Sequence, residues 1–189
     1  MSVSPYNLFS SLSIQRTTSL DQILEPVRIF ARSYGLHPFR ILEVRDPFLR
    51  SELLNEDPVL APGRQPVHLV VIAIRPVITA KHIDEFISQI RSSKKGSGHS
   101  LANYRRHVEE ILHRKEGGSW SSRQADQALA ILNASARDAG AVLSVNRQPD
   151  VVHYEEVLGL KRDGYSSHIA VTIRLAEPAK SWPQAVTSN

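Results

Sequence analysis

Eight histidines, two short acidic clusters and no cysteine are the raw material for chemistry in this chain of 189 residues. A general acid or base must lie within hydrogen-bond reach of the proton it moves. His82 with Asp84, and His153 with Glu155 and Glu156, have the residue types for that work. Both sets fall in amphipathic helical patterns, where they are expected on solvated faces. A helical metal site would need two histidines four apart, or cysteine thiolates. Neither occurs; His107 and His113 are six apart and fall on different faces, so no metal ligand set is expected. GxGxxG, GxxxxGK[ST] and GxSxG are also absent, which removes the familiar phosphate loops and the hydrolase elbow.

One further stretch could cradle a ligand. FARSYGLHPFRILEV, at 30–44, passes from a helical pattern through Gly35, His37 and Pro38 into an alternating strand. Whether that turn binds anything depends on the elements that hold it. A helix is predicted over about 20–33, capped by Thr18 or Ser19, with Ile23, Leu24, Val27 and Phe30 on one face and a kink at Pro26. RILEVR at 40–45 reads as a strand and PFLRSELL at 47–54 as a short helix. The β-branched run VHLVVIAI, 67–74, predicts a strand covered on both faces at the centre of a sheet. Helices are predicted over 78–90, 104–115 and 121–139, the last capped by Ser121 or Ser122 and stopped by Gly140. That last helix is rich in alanine, so it packs closely against its own sheet or a second subunit. A short extended piece at 141–145, a short helix through VVHYEEVLGL and a strand at 167–175 complete the pattern. Too few βαβ units occur for a doubly wound sheet, so the class is α+β: one domain spanning 1–189, with an arm at 1–18 and a tail at 176–189.

Composition narrows the partners. The longest apolar run, LVVIAI, is far shorter than the roughly 20 residues of a membrane helix, and MSVSPYNLF has no basic segment leading into an apolar core. No membrane partner is expected, and the absence of cysteine fits a reducing cytoplasm. The net charge of +4 is spread along the chain. Its densest cluster, RSSKKGSGH at 91–99, lacks interleaved aromatics and reads as a solvated, anion-attracting linker rather than a nucleic-acid face.

Four stretches, taken in order, resemble the flavin-dependent nitroreductase family. ILEPVRIFARSYGLHPFRILEV (23–44) is similar to its helix–turn–strand segment around Pro-Ser-Ser-x-Asn-x-Gln-Pro-Trp, and VHLVVIAI to its central strand. WSSRQADQALAILNASARDAG (120–140) resembles its long helix, and VLGLKRDGYSSHIAVTI (157–173) its closing block. The resemblance implies a central mixed sheet flanked by helices and an intertwined homodimer with FMN at the interface. It also implies hydride transfer from NAD(P)H through the flavin to a nitroaromatic, quinone or similar acceptor.

By the same resemblance, cofactor contacts fall on Arg32, Ser33, Gly35 and His37 in the turn, on Val145, Arg147 and Gln148 after the long helix, and on Lys180 in the tail. The site is diverged. No arginine stands within residues 1–9, where the family grips the phosphate; Gly35, His37 and Phe39 replace its Asn, Gln and Trp; and Val145-Asn146-Arg147-Gln148-Pro149 replaces Pro-Ile-Glu-Gly-Phe. Arg16, Arg32, Arg147 and Lys180 are the candidate replacement cations, with no protein acid–base residue required. The alternative implied by these changes is a flavin-free structural or binding subunit, in a heterodimer with a catalytic paralogue.

Overall fold

The β-branched run forms β2 (Val67–Ile74), and its side chains alternate between two cores. Val70, Ile72 and Ile74 enter one cluster with Ile23, Leu24, Val27, Ala125, Ala128 and Leu132. Leu69 and Val71 enter another with Leu53 and Tyr154 on the opposite face. Leu69 through Ala73 are completely enclosed, as expected for a strand covered on both sides.

In this computed structural model the described residues are 19–33, 35–55, 67–92, 98–113 and 120–175. The remaining elements are α1 (Leu20–Ser33), β1 (Phe39–Val44), α2 (Pro47–Leu54), α3 (Ala80–Ser92), α4 (Gly98–His113), α5 (Trp120–Asp138), β3 (Val142–Asn146), α6 (Val151–Val157), a 3-10 turn (Leu160–Asp163) and β4 (Ser166–Arg174). The arm, the tail, Arg16, Lys94, Lys95 and Lys180 lie outside the described residues.

The fold is α+β, with strand order β1-β2-β4-β3 and helices on both faces of the sheet. Each pairing among the described residues is antiparallel, which corrects the mixed sheet expected from the sequence. The helices α1 and α5 cover one face, and α2, α6 and the 3-10 turn cover the other. The small residues of α5 serve its close approach to α1 and the sheet: Ala125, Ala128 and Ala136 are fully buried.

Local chemistry explains most boundaries. Ser19 and Gln22 form a reciprocal capping box at α1, through the Gln22 N–H to Ser19 Oγ at 3.3 Å and the Ser19 N–H to Gln22 Oε1 at 3.2 Å. Asp46 caps α2 by accepting from the Phe48 and Leu49 amides at 2.8 and 3.1 Å, and Pro47 follows it where a missing N–H costs nothing. Gly140, at φ +69°, ends α5 while the Ala141 N–H reaches back to Ala136 O at 2.8 Å. Most boundaries fall within two residues of expectation, and two helix starts are the instructive shifts. Helix α5 begins at Trp120, so Ser121 is inside the helix and 2% exposed, and α4 begins at Gly98, well inside the predicted linker.

A third apolar cluster lies beyond the end of the sheet. It joins Ile83 and Ile87 of α3, Leu101 and Val108 of α4, Trp120 of α5 and Leu36 of the α1–β1 turn. The helices α3 and α4 therefore sit over that turn, and this placement defines the candidate site.

Candidate functional site

Strand register places the candidate residues. Phe39 opposes Ile74, and Ile74 opposes Ser166, so β1 starts, β2 ends and β4 starts at one end of the sheet. Asn146 opposes Ala170, so β3 runs toward that end and stops four residues short of it. Arg32, Ser33, Gly35 and His37 gather at this end beside β1, while Val145, Arg147 and Gln148 lie at the finish of β3. The two groups flank opposite outer strands of the four-stranded sheet, about 14 Å apart at the usual strand spacing. One chain does not bring them together.

The turn has a constrained backbone. Gly35 has φ +69° and His37 has φ +45°, both in the left-handed region. A Cβ on Gly35 would run into the ring of Phe86 from α3, so the space that a side chain at this position would use is filled. Phe86 in turn packs on Tyr104 of α4 with ring centroids 5.3 Å apart, and burial pushes the Tyr104 phenol up to about 12. The Ser33 hydroxyl donates to Phe30 O of its own helix at 2.7 Å. Arg32 is exposed, with no ion pair among the described residues, as a replacement cation would need to be.

On the other edge, Arg147 is committed. Its Nη1 lies 2.6 Å from Asp126 Oδ1 on α5. Both partners are half exposed, so the pair adds little stability but draws the arginine toward the helix. Asn146 Oδ1 accepts from the Gln148 N–H at 2.9 Å and shapes the turn. Val145 is 43% exposed and borders a recess of about 200 Å³ between β3, β4, α2 and α6.

Residues that sequence reasoning passed over surround the first turn. Tyr165, 2% exposed, donates its hydroxyl hydrogen to His37 O at 2.9 Å and accepts from Arg75 Nη2 at 3.1 Å. Arg75 also donates its backbone N–H to Pro38 O at 2.8 Å, and its Nη1 lies 2.8 Å from His82 Nε2. The guanidinium carbons of Arg40 and Arg75 stand 4.2 and 4.7 Å from the Tyr165 ring centroid, within cation–π range. Arg40 is paired with Asp163 at 2.8 Å. His82 is thus partly buried against Arg75 while Asp84 on the same helix is exposed as expected; burial, and then Arg75, lower the His82 pKa. Asp84 pairs with Arg105 of the charged helix, which Glu109 also holds at 2.8 Å.

In the second sketched acid–base set Glu156 is exposed as expected and His153 partly so, while Glu155 is not. Glu155 is 7% exposed, accepts from the Ser166 hydroxyl and lies 3.4 Å from Lys161 Nζ. Its neighbours make it a bridge between α6, the 3-10 turn and β4. Among the described residues no three histidine, aspartate or glutamate side chains are grouped as a metal site, and no helix is long and apolar enough to cross a membrane.

No protein-family model and no curated protein matches the sequence. Solved structures do match the fold. A nitroreductase family protein from Streptococcus pneumoniae superposes with a TM-score of 0.60 at 16% identity, covering 89% of this chain and 88% of that one. An enone reductase of gut-bacterial fatty acid saturation gives 0.61 at 12% identity over 89% and 85% of the two chains. A protein from Exiguobacterium sibiricum, described as a nitroreductase and solved in complex with FMN, gives 0.57 at 14% identity over 88% and 84%. The chain has the nitroreductase-like fold.

Proposed function

We propose that the protein is an FMN-dependent NAD(P)H oxidoreductase acting as a homodimer, with a nitroaromatic, quinone or similar compound as electron acceptor. The observation that carries this reading is the fold likeness over nearly the whole chain, to structures that include one solved with FMN. The placement of the candidate residues supports a composite site. Arg32 and His37 of one copy and Val145 and Gln148 of the other would hold a flavin that neither edge holds alone. Arg32 would offer a cation to the phosphate, His37 a donor to the ring edge or the acceptor, and Lys180 a second cation from the tail. The flavin itself would supply the hydride chemistry. In a purified sample the expected result is a yellow protein whose flavin absorbance bleaches on addition of NADPH. A colourless protein that takes up no added FMN would overturn the reading.

A second reading, a flavin-free binding or structural subunit partnered with a catalytic paralogue, is favoured by two specific contacts. Phe86 fills the space at Gly35, and Asp126 occupies Arg147. Each removes a group that could have touched a cofactor. Bleaching by NADPH disposes of this alternative.

A further inference from the structure

We propose that Tyr165, held in place by Arg75, is the positioning residue of the α1–β1 turn, and that protonation of His82 loosens this clasp. What the turn is for rests on the proposed flavin reading; how it is held does not.

His37 adopts φ +45°, a conformation that side-chain-bearing residues enter at a cost and keep only when the surroundings enforce it. Two hydrogen bonds do so here. The Tyr165 hydroxyl donates to His37 O at 2.9 Å, and the Arg75 N–H donates to Pro38 O at 2.8 Å, fixing consecutive carbonyls of the turn. The hydroxyl is aimed by Arg75 Nη2, which donates to it at 3.1 Å, while Arg40 lies against the ring. Tyr165 is itself anchored between Gly164, at φ +73°, and the first residue of β4. The clasp therefore joins β2, β4 and the turn at the end of the sheet where Gly35 meets Phe86.

His82 makes the clasp sensitive to acid. Its Nε2 lies 2.8 Å from Arg75 Nη1, and its Nδ1 accepts from the Thr79 N–H at 3.0 Å, with the Thr79 hydroxyl at 3.2 Å. Arginine can only donate. A neutral imidazole accepts at one nitrogen only, and here the Thr79 N–H takes that acceptor at Nδ1; protonation removes it and sets a positive charge 2.8 Å from the Arg75 guanidinium, and the repulsion between the two cations is what loosens Arg75. The charged groups around the ring are Arg75 at the end of β2 and Lys81 and Glu85 on α3; Arg75 and Lys81 oppose protonation and Glu85 favours it. Thr79 is its neutral neighbour.

The sign follows. The folded-state pKa of His82 is lowered from 6.5, so the stabilisation is fully present above about pH 6.5 and is lost as the pH falls through the lower folded value.

Two readouts test the clasp in the full-length protein: protection of the Arg75 amide from hydrogen exchange without added cofactor, and FMN affinity from pH 8 to 5. Tyr165→Phe keeps the ring and removes the hydroxyl. It is expected to lower Arg75 amide protection, and FMN affinity, about tenfold at pH 8. Wild type is expected to show the same losses on acidification, and His82→Gln to flatten that pH dependence. Unchanged protection in Tyr165→Phe, or an unaltered acid response in His82→Gln, overturns the inference. If wild type binds no FMN at any pH while protection behaves as expected, the flavin reading fails and the clasp stands.

Discussion

Gly35 shows how a single residue can record both a fold and a departure from it. The turn needs φ +69° at this position, and Phe86 packs where a Cβ would stand. A left-handed backbone costs a side-chain-bearing residue about 1–2 kcal/mol, and overpacking about 1–3 kcal/mol more. Gly35→Ala is therefore expected to lower unfolding free energy by about 2–5 kcal/mol in a urea titration. The two costs separate in a double-mutant cycle. Combining Gly35→Ala with Phe86→Ala should give a loss at least about 1 kcal/mol smaller than the sum of the single losses, because the clash is removed and the strain remains. Strict additivity would mean that Phe86 does not contact this position. The same site shows where residue types mislead. His82 and Glu155 carry the residue types of acid–base catalysts on charged helical segments, yet one faces an arginine and the other is enclosed with Ser166 and Lys161. Nothing adjacent to them in sequence announces those partners.

At the scale of elements, sequence and structure correspond closely where the cause is local. The capping box at Ser19, the cap at Asp46 and the stop at Gly140 are short-range hydrogen bonds written in consecutive residues. The burial of β2 follows from its unbroken apolar run. Asp46→Ala tests that local logic: it removes acceptors from the Phe48 and Leu49 amides, and should cost about 1 kcal/mol in thermal or urea unfolding while leaving FMN affinity unchanged. A loss of FMN affinity without loss of stability would contradict a purely capping role. Legibility ends where contacts are long-range. The Tyr165–His37 bond spans 128 residues and the Arg75–Tyr165 bond spans 90, so no window of sequence contains either. Strand direction was likewise hidden: the alternation in β1 and β4 fixes which face is buried, but not whether neighbours run parallel or antiparallel. The start of α4 was misplaced because glycine and serine at 96–100 resemble linker composition, while the helix is held through Leu101 against α3 and α5.

The whole molecule poses a geometric problem that a second copy would solve. Both groups of candidate residues point toward one end of the sheet, but they sit on its two outer edges, with β2 and β4 between them. The β3 edge is also poorly covered, with Val142 62% and Val145 43% exposed, as an interface strand would be. If one site takes the turn from one copy and the end of β3 from the other, two separately disabled chains can repair each other. One variant would carry Arg32→Ala with His37→Ala, and the other Val145→Asp with Gln148→Ala. Each homodimer has two broken sites. A mixed dimer has one site carrying both defects and one carrying neither. Random reassortment makes half the dimers mixed, so FMN binding should return to about a quarter of the wild-type stoichiometry. Co-refolding or co-expression of the two variants, followed by flavin absorbance per chain, measures this directly. If all the contacts came from one chain, every site in every dimer would stay broken and mixing would restore nothing, so recovery requires the shared arrangement as well as dimerisation.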